Sequence, residues 1–198
     1  MAELGPPKKG PDARSRAVAS LLDEDPAREV ELYELATDVL IHLHQHEAMP
    51  GLKPHGLEQW LEELKLFTDW YCPAVGIEVD AASYEAAWRQ VLEPVANDGL
   101  APVTVLRDYH AENVMLVRDR TGVEHFGLLD FQDALAGHPA YDLASVLEDA
   151  RRDVPPAIER AMIGRYVAAT GHGGTFERAY WALSAQRNTR ILGVFTRL

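Results

Sequence analysis

The sequence predicts an α+β fold that is mainly helical and contains one small β-hairpin. Apolar residues recur at helical spacing over most of the chain, both before residue 97 and after residue 141, as in amphipathic helices. Between these helical parts lie three short apolar runs, at residues 103–106, 114–117 and 125–129. Turns rich in Asp, Asn and Gly bound these runs, which is typical of strands. A short turn with a glycine joins the last two runs and favours an antiparallel hairpin.

Composition narrows the class of partner. Of the 198 residues, 47% are hydrophobic and 25% are charged, as in ordinary globular proteins that bury a core. The formal net charge of −12 argues against nucleic acid as a partner, because phosphate backbones bind basic surfaces. A nucleotide is still compatible with this charge, since a metal ion can neutralise its phosphates.

Cysteine use and hydropathy indicate the compartment. Cys72 is the only cysteine, so no internal disulfide can form, and a reducing cytosol suits such a chain. Residues 1–16 lack the apolar segment of a secretory signal. No apolar run has the length of a membrane span. We therefore expect a cytoplasmic protein without a membrane partner.

The helical parts are predicted in order along the chain. Residues 1–22, which begin with several prolines and glycines, are expected to be a flexible lead or hinge remnant. A first helix should begin after Asp25-Pro26 and run to about His46, because Asp is a good N-cap and Pro suits the first turn. Loops are expected at residues 49–56, 73–76 and 137–139. Further helices are expected at residues 57–70, 83–95 (capped by Ser83), 142–150, 157–170 and 176–192.

Three side chains with oxygen ligands converge at one end of the predicted hairpin. Asn113 precedes its first strand and Asp130 follows its second, and antiparallel pairing brings these two positions together. Asp108 lies in the loop that leads into the first strand. Asp and Asn oxygens suit a hard cation such as Mg²⁺, which proteins hold with few side chains and with substrate phosphates. The alternative is that Asp108 and Asn113 are ordinary turn residues.

The same residues form a motif that resembles the catalytic loop and metal-binding Asp of kinases, namely Arg107-Asp108-x-x-x-x-Asn113 followed by Asp130-Phe131. His110 resembles the central His in the Asp-x-His-x-x-Asn form of the aminoglycoside phosphotransferase-like superfamily, where protein kinases usually carry Lys. Within that superfamily, residues 130–134 and 141–144 look most like the bacterial anomeric kinases of N-acetylmuramate and N-acetylglucosamine. Residues 186–188 also resemble this branch.

The resemblance implies transfer of a phosphoryl group from ATP, with Mg²⁺, to a hydroxyl group. Asp108, in the catalytic loop 106–113, would accept or orient the proton of the acceptor hydroxyl. Asn113, together with Asp130 of the metal loop 130–134, would hold Mg²⁺.

Further residues are implied to support this site. Phe131 would pack behind the metal-binding Asp, and Asp142 would cap a helix and hydrogen-bond the catalytic loop. His110 is interpreted as support for that loop, with a buried core histidine as the alternative. Arg107 would pair with a nearby carboxylate, for which there are two candidates, Glu112 and Asp133.

Kinases of this superfamily have a strand-rich N-terminal lobe that supplies a Lys and a covering loop for the nucleotide phosphates. No run of strands is predicted before Ala101, and we find no Lys there with a matching Glu. The resemblance therefore implies that residues 23–198 form the C-terminal lobe only, that the nucleotide lobe is absent, and that the chain is a fragment or a truncated product. Leu106 departs from the family pattern, which often has His there, and Gln132 replaces the Gly of Asp-Phe-Gly.

The leading hypothesis is an ATP-dependent kinase for a small-molecule sugar or alcohol, specifically for the anomeric hydroxyl of an N-acetylated amino sugar in cell wall recycling. One alternative is an aminoglycoside or choline-like acceptor, which would suit acidic side chains on the second helix. Another is a non-catalytic module, derived from a kinase, that binds a sugar or a protein. The missing lobe would come from a partner chain, or its docking face would drive self-association. The acidic side chains are Glu58, Glu62, Glu63 and Asp69.

Overall fold

The computed structural model describes residues 15–198. The described chain is mainly helical with two small sheets, which confirms the predicted α+β class. Its helices are α1 (Val18–Glu24), α2 (Glu29–His44), α3 (Leu57–Leu66), α4 (Cys72–Ala74), α5 (Ala81–Ala96), α6 (Ala140–Leu147), α7 (Pro156–Thr170) and α8 (Gly174–Arg197). Its strands are β1 (Ser15–Ala17), β2 (Pro54–His55), β3 (Val103–Val105), β4 (Val114–Val117), β5 (Phe126–Leu128) and β6 (Leu135–Gly137).

The first sheet has the order β1-β4-β5 and contains the predicted hairpin. Strands β4 and β5 pair antiparallel, with Val114 opposite Leu128 and Leu116 opposite Phe126. Strand β1 completes the other side of β4. The sheet therefore brings the start of β4 beside the end of β5, where the predicted metal ligands lie.

The prediction of a flexible lead is wrong for residues 15–22, and residues 1–14 lie outside the described part of the chain. Residues 15–17 form β1, and α1 follows directly. Val18, Leu21 and Leu22 on α1 are buried in the core. Their three- and four-residue spacing puts them on one face of the helix, so hydrophobic burial stabilises this segment against the hairpin.

The second sheet has the order β2-β6-β3. Strand β2 and Gly137, the last residue of β6, lie in segments that were predicted to be loops. Strand β6 pairs antiparallel with β3 and parallel with β2. Both β2 and β6 are too short to carry a periodic pattern, so their pairing depends on tertiary contacts. Gly137 on β6 permits the close approach, because a Cβ there would lie 3.2 Å from the carbonyl oxygen of His55.

Helix boundaries follow local capping chemistry with two corrections. The Asp25 side chain accepts a hydrogen bond from the backbone N–H of Ala27 and starts a 3₁₀ turn that leads into α2, as its N-cap role predicts. Asp80, not Ser83, caps α5, because its carboxylate accepts from the backbone N–H of Ser83 at 3.0 Å. The loop predicted at residues 73–76 begins later than expected, because Pro73 lies in the first turn of α4, where its missing N–H is tolerated.

Helix α6 lies at the centre of the fold, and its eight residues are all buried. Helices α2 and α8 pack against it, α7 packs on α2, and α8 also packs on α3 and the π-helical turn Phe67–Tyr71. Gly193 makes this contact close, because a Cβ there would overlap the backbone of Leu66. No helix within residues 15–198 combines the length and apolar composition needed to cross a bilayer.

Candidate active site

Asp142 anchors the start of the catalytic loop. It lies in the first turn of α6 and is fully buried. The backbone N–H groups of Leu106 and Arg107 donate to its two carboxylate oxygens at 2.6 and 2.9 Å. Burial raises the pKa of Asp142 to about 7, although the two backbone donors oppose this rise. The expected hydrogen bonds to the loop are present, but Asp142 does not cap a helix.

Arg107 is held in a left-handed backbone conformation, with φ of 74°. Its side chain pairs with Glu63 on α3, with Nη2 2.8 Å from Oε1. The predicted partners, Glu112 and Asp133, are therefore both wrong. Glu112 instead pairs with Arg151. The loop is thus attached to α6 through its backbone and to α3 through this ion pair.

Glu63 was noted in the sequence only as one of four acidic side chains that would suit a cationic acceptor, but in the structure it pairs with cationic side chains of the protein. Its side chain is 15% exposed, and it contacts Arg107, Arg190 and His55. Burial favours the neutral form, but these neighbours outweigh it and lower the pKa of Glu63 to about 2. Its position three residues after buried Trp60 was the available signal, because that spacing puts both on one helix face. A charged Glu63 therefore organises the arginines behind the cleft.

The loop from Asp108 to Asn113 is closed by its own hydrogen bonds. The Asn113 side-chain N–H donates to the Asp108 carbonyl at 2.9 Å, and the same nitrogen lies 3.2 Å from His110 Nε2. The backbone N–H of Asn113 donates to the His110 carbonyl. With its amide nitrogen engaged in this way, Asn113 keeps its side-chain oxygen for a cation.

His110 is 5% exposed, and its contact with the Asn113 side chain supports the loop. Burial lowers its pKa, as does Arg151 nearby, so the ring is neutral near pH 7. A neutral Nε2 can accept from the Asn113 amide, which leaves the proton on Nδ1. That Nδ1 is buried and has no partner among the described residues.

Asp130 reaches the same site through the hairpin. The backbone N–H of Leu129 donates to the Asn113 carbonyl at 2.9 Å, which extends the β4–β5 ladder by one step. Asp130 then turns with φ of 57°, a conformation that Asp tolerates better than most residues. Its carboxylate is exposed and accepts a hydrogen bond from Gln132. Phe131 is 60% exposed, so the predicted packing of its ring behind Asp130 is wrong.

A single cleft of about 320 Å³ contains Asp108, Asn113 and Asp130 together. The sequence-predicted trio is therefore brought together as the hairpin argument required. Two carboxylates and one amide oxygen fit Mg²⁺, which takes few protein ligands and completes its shell with substrate phosphates and water. Within residues 15–198, no cluster of three or more His, Cys, Asp or Glu side chains could hold a metal by itself.

The cleft also contains three arginines that were assigned no catalytic or binding role from the sequence. Arg187 and Arg190 lie on α8, and Arg151 lies in the segment between α6 and α7. The same face of α8 continues with an apolar strip. This strip consists of Ile191, Val194, Phe195 and Leu198.

The fold and site define a class of protein with known members. A model of the phosphotransferase enzyme family matches residues 12–182, and the chain belongs to that family. Its fold resembles that of a choline kinase from Streptococcus pneumoniae, with a TM-score of 0.56, 12% identity, and coverage of 93% of this chain and 64% of that one. An aminoglycoside phosphotransferase from Streptomyces rimosus, solved with ADP and streptomycin, gives a TM-score of 0.57, 16% identity and coverage of 88% and 64%.

Particular relatives within the family are amino-sugar kinases, which confirms the resemblance seen in the sequence. The N-acetylmuramate/N-acetylglucosamine kinase of Caulobacter vibrioides is 37% identical over 203 residues, which cover 96% of this chain and 54% of that protein. The enzyme of the same name from Pseudomonas aeruginosa is 30% identical and is covered to 53%, with 87% of this chain. The chain thus spans about half the length of the curated relatives it matches.

Proposed function

We propose that this chain is the C-terminal lobe of an ATP-dependent kinase that phosphorylates a hydroxyl of an N-acetylated amino sugar, specifically its anomeric hydroxyl. One observation carries the proposal: Asp108, Asn113 and Asp130 line one cleft, although Asn113 and Asp130 are 17 positions apart in the sequence. The amino-sugar kinase names of the relatives support this acceptor class. The family resemblance and the absence of a second cysteine suit a cytoplasmic role in cell wall recycling.

In the proposed reaction, Asp108 accepts the proton of the acceptor hydroxyl as its oxygen attacks the γ-phosphorus of ATP. The new bond joins that oxygen to phosphorus, the bond from phosphorus to the β–γ bridging oxygen breaks, and ADP leaves with the electron pair. Asn113 and Asp130 would hold Mg²⁺, which offsets charge on the phosphates. The protein contributes mainly by positioning and electrostatics. Asp142 serves this role indirectly, because its hydrogen bonds position the loop that presents Asp108.

The non-catalytic module is the second candidate, and one observation favours it. The two lysines within residues 15–198 are Lys53, which lies in a loop, and Lys65, which pairs with Glu62 on α3. Neither lies in a strand, where the family resemblance puts the Lys for the nucleotide phosphates. Under the kinase proposal this group comes from outside the described residues.

The test compares two aspartates at opposite ends of one hairpin. Asp130→Asn removes a charge from the candidate metal site and keeps a residue that tolerates positive φ. Asp119→Asn is the matched control, because Asp119 is also exposed and has φ of 63° in the turn between β4 and β5. We expect calorimetric binding of ATP with Mg²⁺ to be lost in Asp130→Asn and kept in Asp119→Asn.

Transfer of phosphate to N-acetylglucosamine or N-acetylmuramate is measured on the same proteins and on Asp108→Asn. A general base typically contributes a factor of about 100 to 10,000, so Asp108→Asn should reduce the rate by at least about 100-fold while it retains ATP binding. Absence of ATP binding and of transfer in the unsubstituted chain, with retained sugar binding, would favour the non-catalytic module.

A further inference from the structure

Arg187 is a buried cation that has no ionic partner among residues 15–198. Its side chain lies on α8 and the residue is only 2% exposed. Within the described chain its guanidinium donates a hydrogen bond to the carbonyl oxygen of Glu148, at 3.3 Å from Nη1, while its Nε has no acceptor. Burial lowers the pKa of Arg187, and the nearby Arg190 adds to this effect. A buried charge is costly unless it is paired, so this guanidinium is arranged for an anion.

The surroundings of Arg187 include further buried hydrogen-bond donors that lack a full set of acceptors within residues 15–198. Arg190 follows by one helical turn, and its Nε lies 3.7 Å from Glu63 without a hydrogen bond. Glu63 already pairs with Arg107 at 2.8 Å, so one carboxylate serves two guanidinium groups. The hydroxyl of Tyr141 is also buried without a partner among the described residues. Such donors require an acceptor from a ligand or from solvent.

The location of these donors indicates which ligand supplies the anion. Arg187 and Arg190 line the same cleft as Asp108, where the acceptor hydroxyl would lie. Beyond the arginines, the face of α8 that borders the cleft is apolar. An acceptor with a carboxylate and an apolar surface matches the arginines and the apolar residues that follow them along α8. A chain of nucleotide phosphates would leave the apolar strip without an apolar partner. The strip residues nearest the arginines are Ile191, Val194 and Phe195.

We propose that Arg187 and Arg190 bind a carboxylate of the acceptor, so that the cleft selects a carboxylate-bearing amino sugar over a neutral one. This inference rests on the proposed function. N-acetylmuramate is N-acetylglucosamine with an added lactyl ether, whose carboxylate is the charge that distinguishes the two sugars. The planar guanidinium of Arg matches a carboxylate through two parallel hydrogen bonds.

The experiment measures calorimetric binding of N-acetylmuramate and of N-acetylglucosamine without nucleotide. The proteins are the unsubstituted chain, Arg187→Gln, Arg190→Gln and the control Arg178→Gln, which removes an exposed arginine from the same helix. A charge-assisted hydrogen bond contributes enough for a change of about tenfold or more in affinity. We expect the unsubstituted chain and the control to bind N-acetylmuramate at least about tenfold more tightly than N-acetylglucosamine. Each cleft variant should lose about tenfold of this preference.

Folding of each variant is checked by circular dichroism, because Arg187 is buried. If Arg187→Gln does not fold, Arg190→Gln and Arg187→Lys carry the test, and the Lys variant should keep only part of the preference because it lacks the planar fork. Equal binding of the two sugars, binding of neither, or an unchanged preference in the cleft variants would overturn the inference. A loss of Mg²⁺-ATP affinity with an unchanged sugar preference would assign the arginines to the nucleotide and would also overturn it.

The test of the carboxylate site can fail or succeed independently of the test of the proposed kinase function. Phosphate transfer to both sugars at equal efficiency, with equal affinities, would sustain the kinase and refute the carboxylate site. Selective binding of N-acetylmuramate without transfer would sustain the carboxylate site and refute the kinase.

Discussion

A buried histidine lies near each end of strand β3, and the two histidines differ in how many of their ring nitrogens are hydrogen-bonded. Before the strand, the buried pair of His138 and Asp98 is complete: Nε2 donates to the carboxylate at 2.9 Å, and Nδ1 accepts from the backbone N–H of Ala140 at 3.1 Å. After the strand, His110 has one ring nitrogen without a partner, and Arg187 has a free Nε within the described chain. Each end borders a cavity of about 320 Å³.

The two cavities at the ends of β3 differ in the side chains that line them. The cavity beside His138 is lined mainly by apolar side chains, and the histidine closes its own hydrogen bonds there. The cleft that contains Asp108, Asn113 and Asp130 is lined by more polar and charged side chains, among them Arg187 and Arg190. Buried polar groups are normally paired, and the proposed ligand site lies at the end of β3 where His110 Nδ1 and Arg187 Nε have no partner within residues 15–198.

The largest expected effect comes from breaking the charge network at the catalytic end. Glu63→Gln leaves Arg107 and Arg190 without their shared carboxylate, and loss of one partner from a buried pair costs about 3 kcal/mol or more. We expect urea unfolding to show such a loss in the free energy of unfolding. Glu62→Gln is the control, since this neighbour forms an exposed pair with Lys65, and such pairs contribute about 1 kcal/mol or less. Equal, small losses in both variants would show that Glu63 does not organise the arginines.

A smaller loss is expected at Asp142, which links α6 to the exit of β3. Asp142→Asn keeps the size and shape of the side chain but replaces one carboxylate oxygen with an NH2 group. One backbone N–H of the loop then loses its acceptor, and a buried unsatisfied donor costs about 2 kcal/mol. Hydrogen exchange at the amides of Leu106 and Arg107 should become faster. The exposed Asp153→Asn should change neither the free energy of unfolding nor this exchange. Unchanged protection of both amides in Asp142→Asn would contradict the anchoring role.

The parts of the site that depend on residues close together in the sequence could be predicted from it. Hairpin geometry placed Asn113 beside Asp130, and apolar spacing predicted the helices that carry the core. The wall of arginines could not be predicted in the same way, because Arg107 and Glu63 are 44 positions apart and their pairing depends on how α3 packs against the loop. The short strands β2 and β6 likewise form only through pairing with each other and with β3. Residue identity alone did not show that Arg187 lacks a partner.

The smallest expected effect is the contribution of His138 to the pH dependence of the free energy of unfolding. Burial lowers the pKa of His138, although its hydrogen bond to Asp98 opposes this. The unfolded chain therefore binds more protons than the folded chain as pH falls below about 6.5, and stability must fall with acidification by up to about 1.4 kcal/mol per pH unit. His138→Gln retains a donor toward Asp98 without the titrating ring, so its free energy of unfolding should fall less steeply between pH 6.5 and pH 5. An unchanged slope in His138→Gln would show that this pair does not contribute to acid sensitivity.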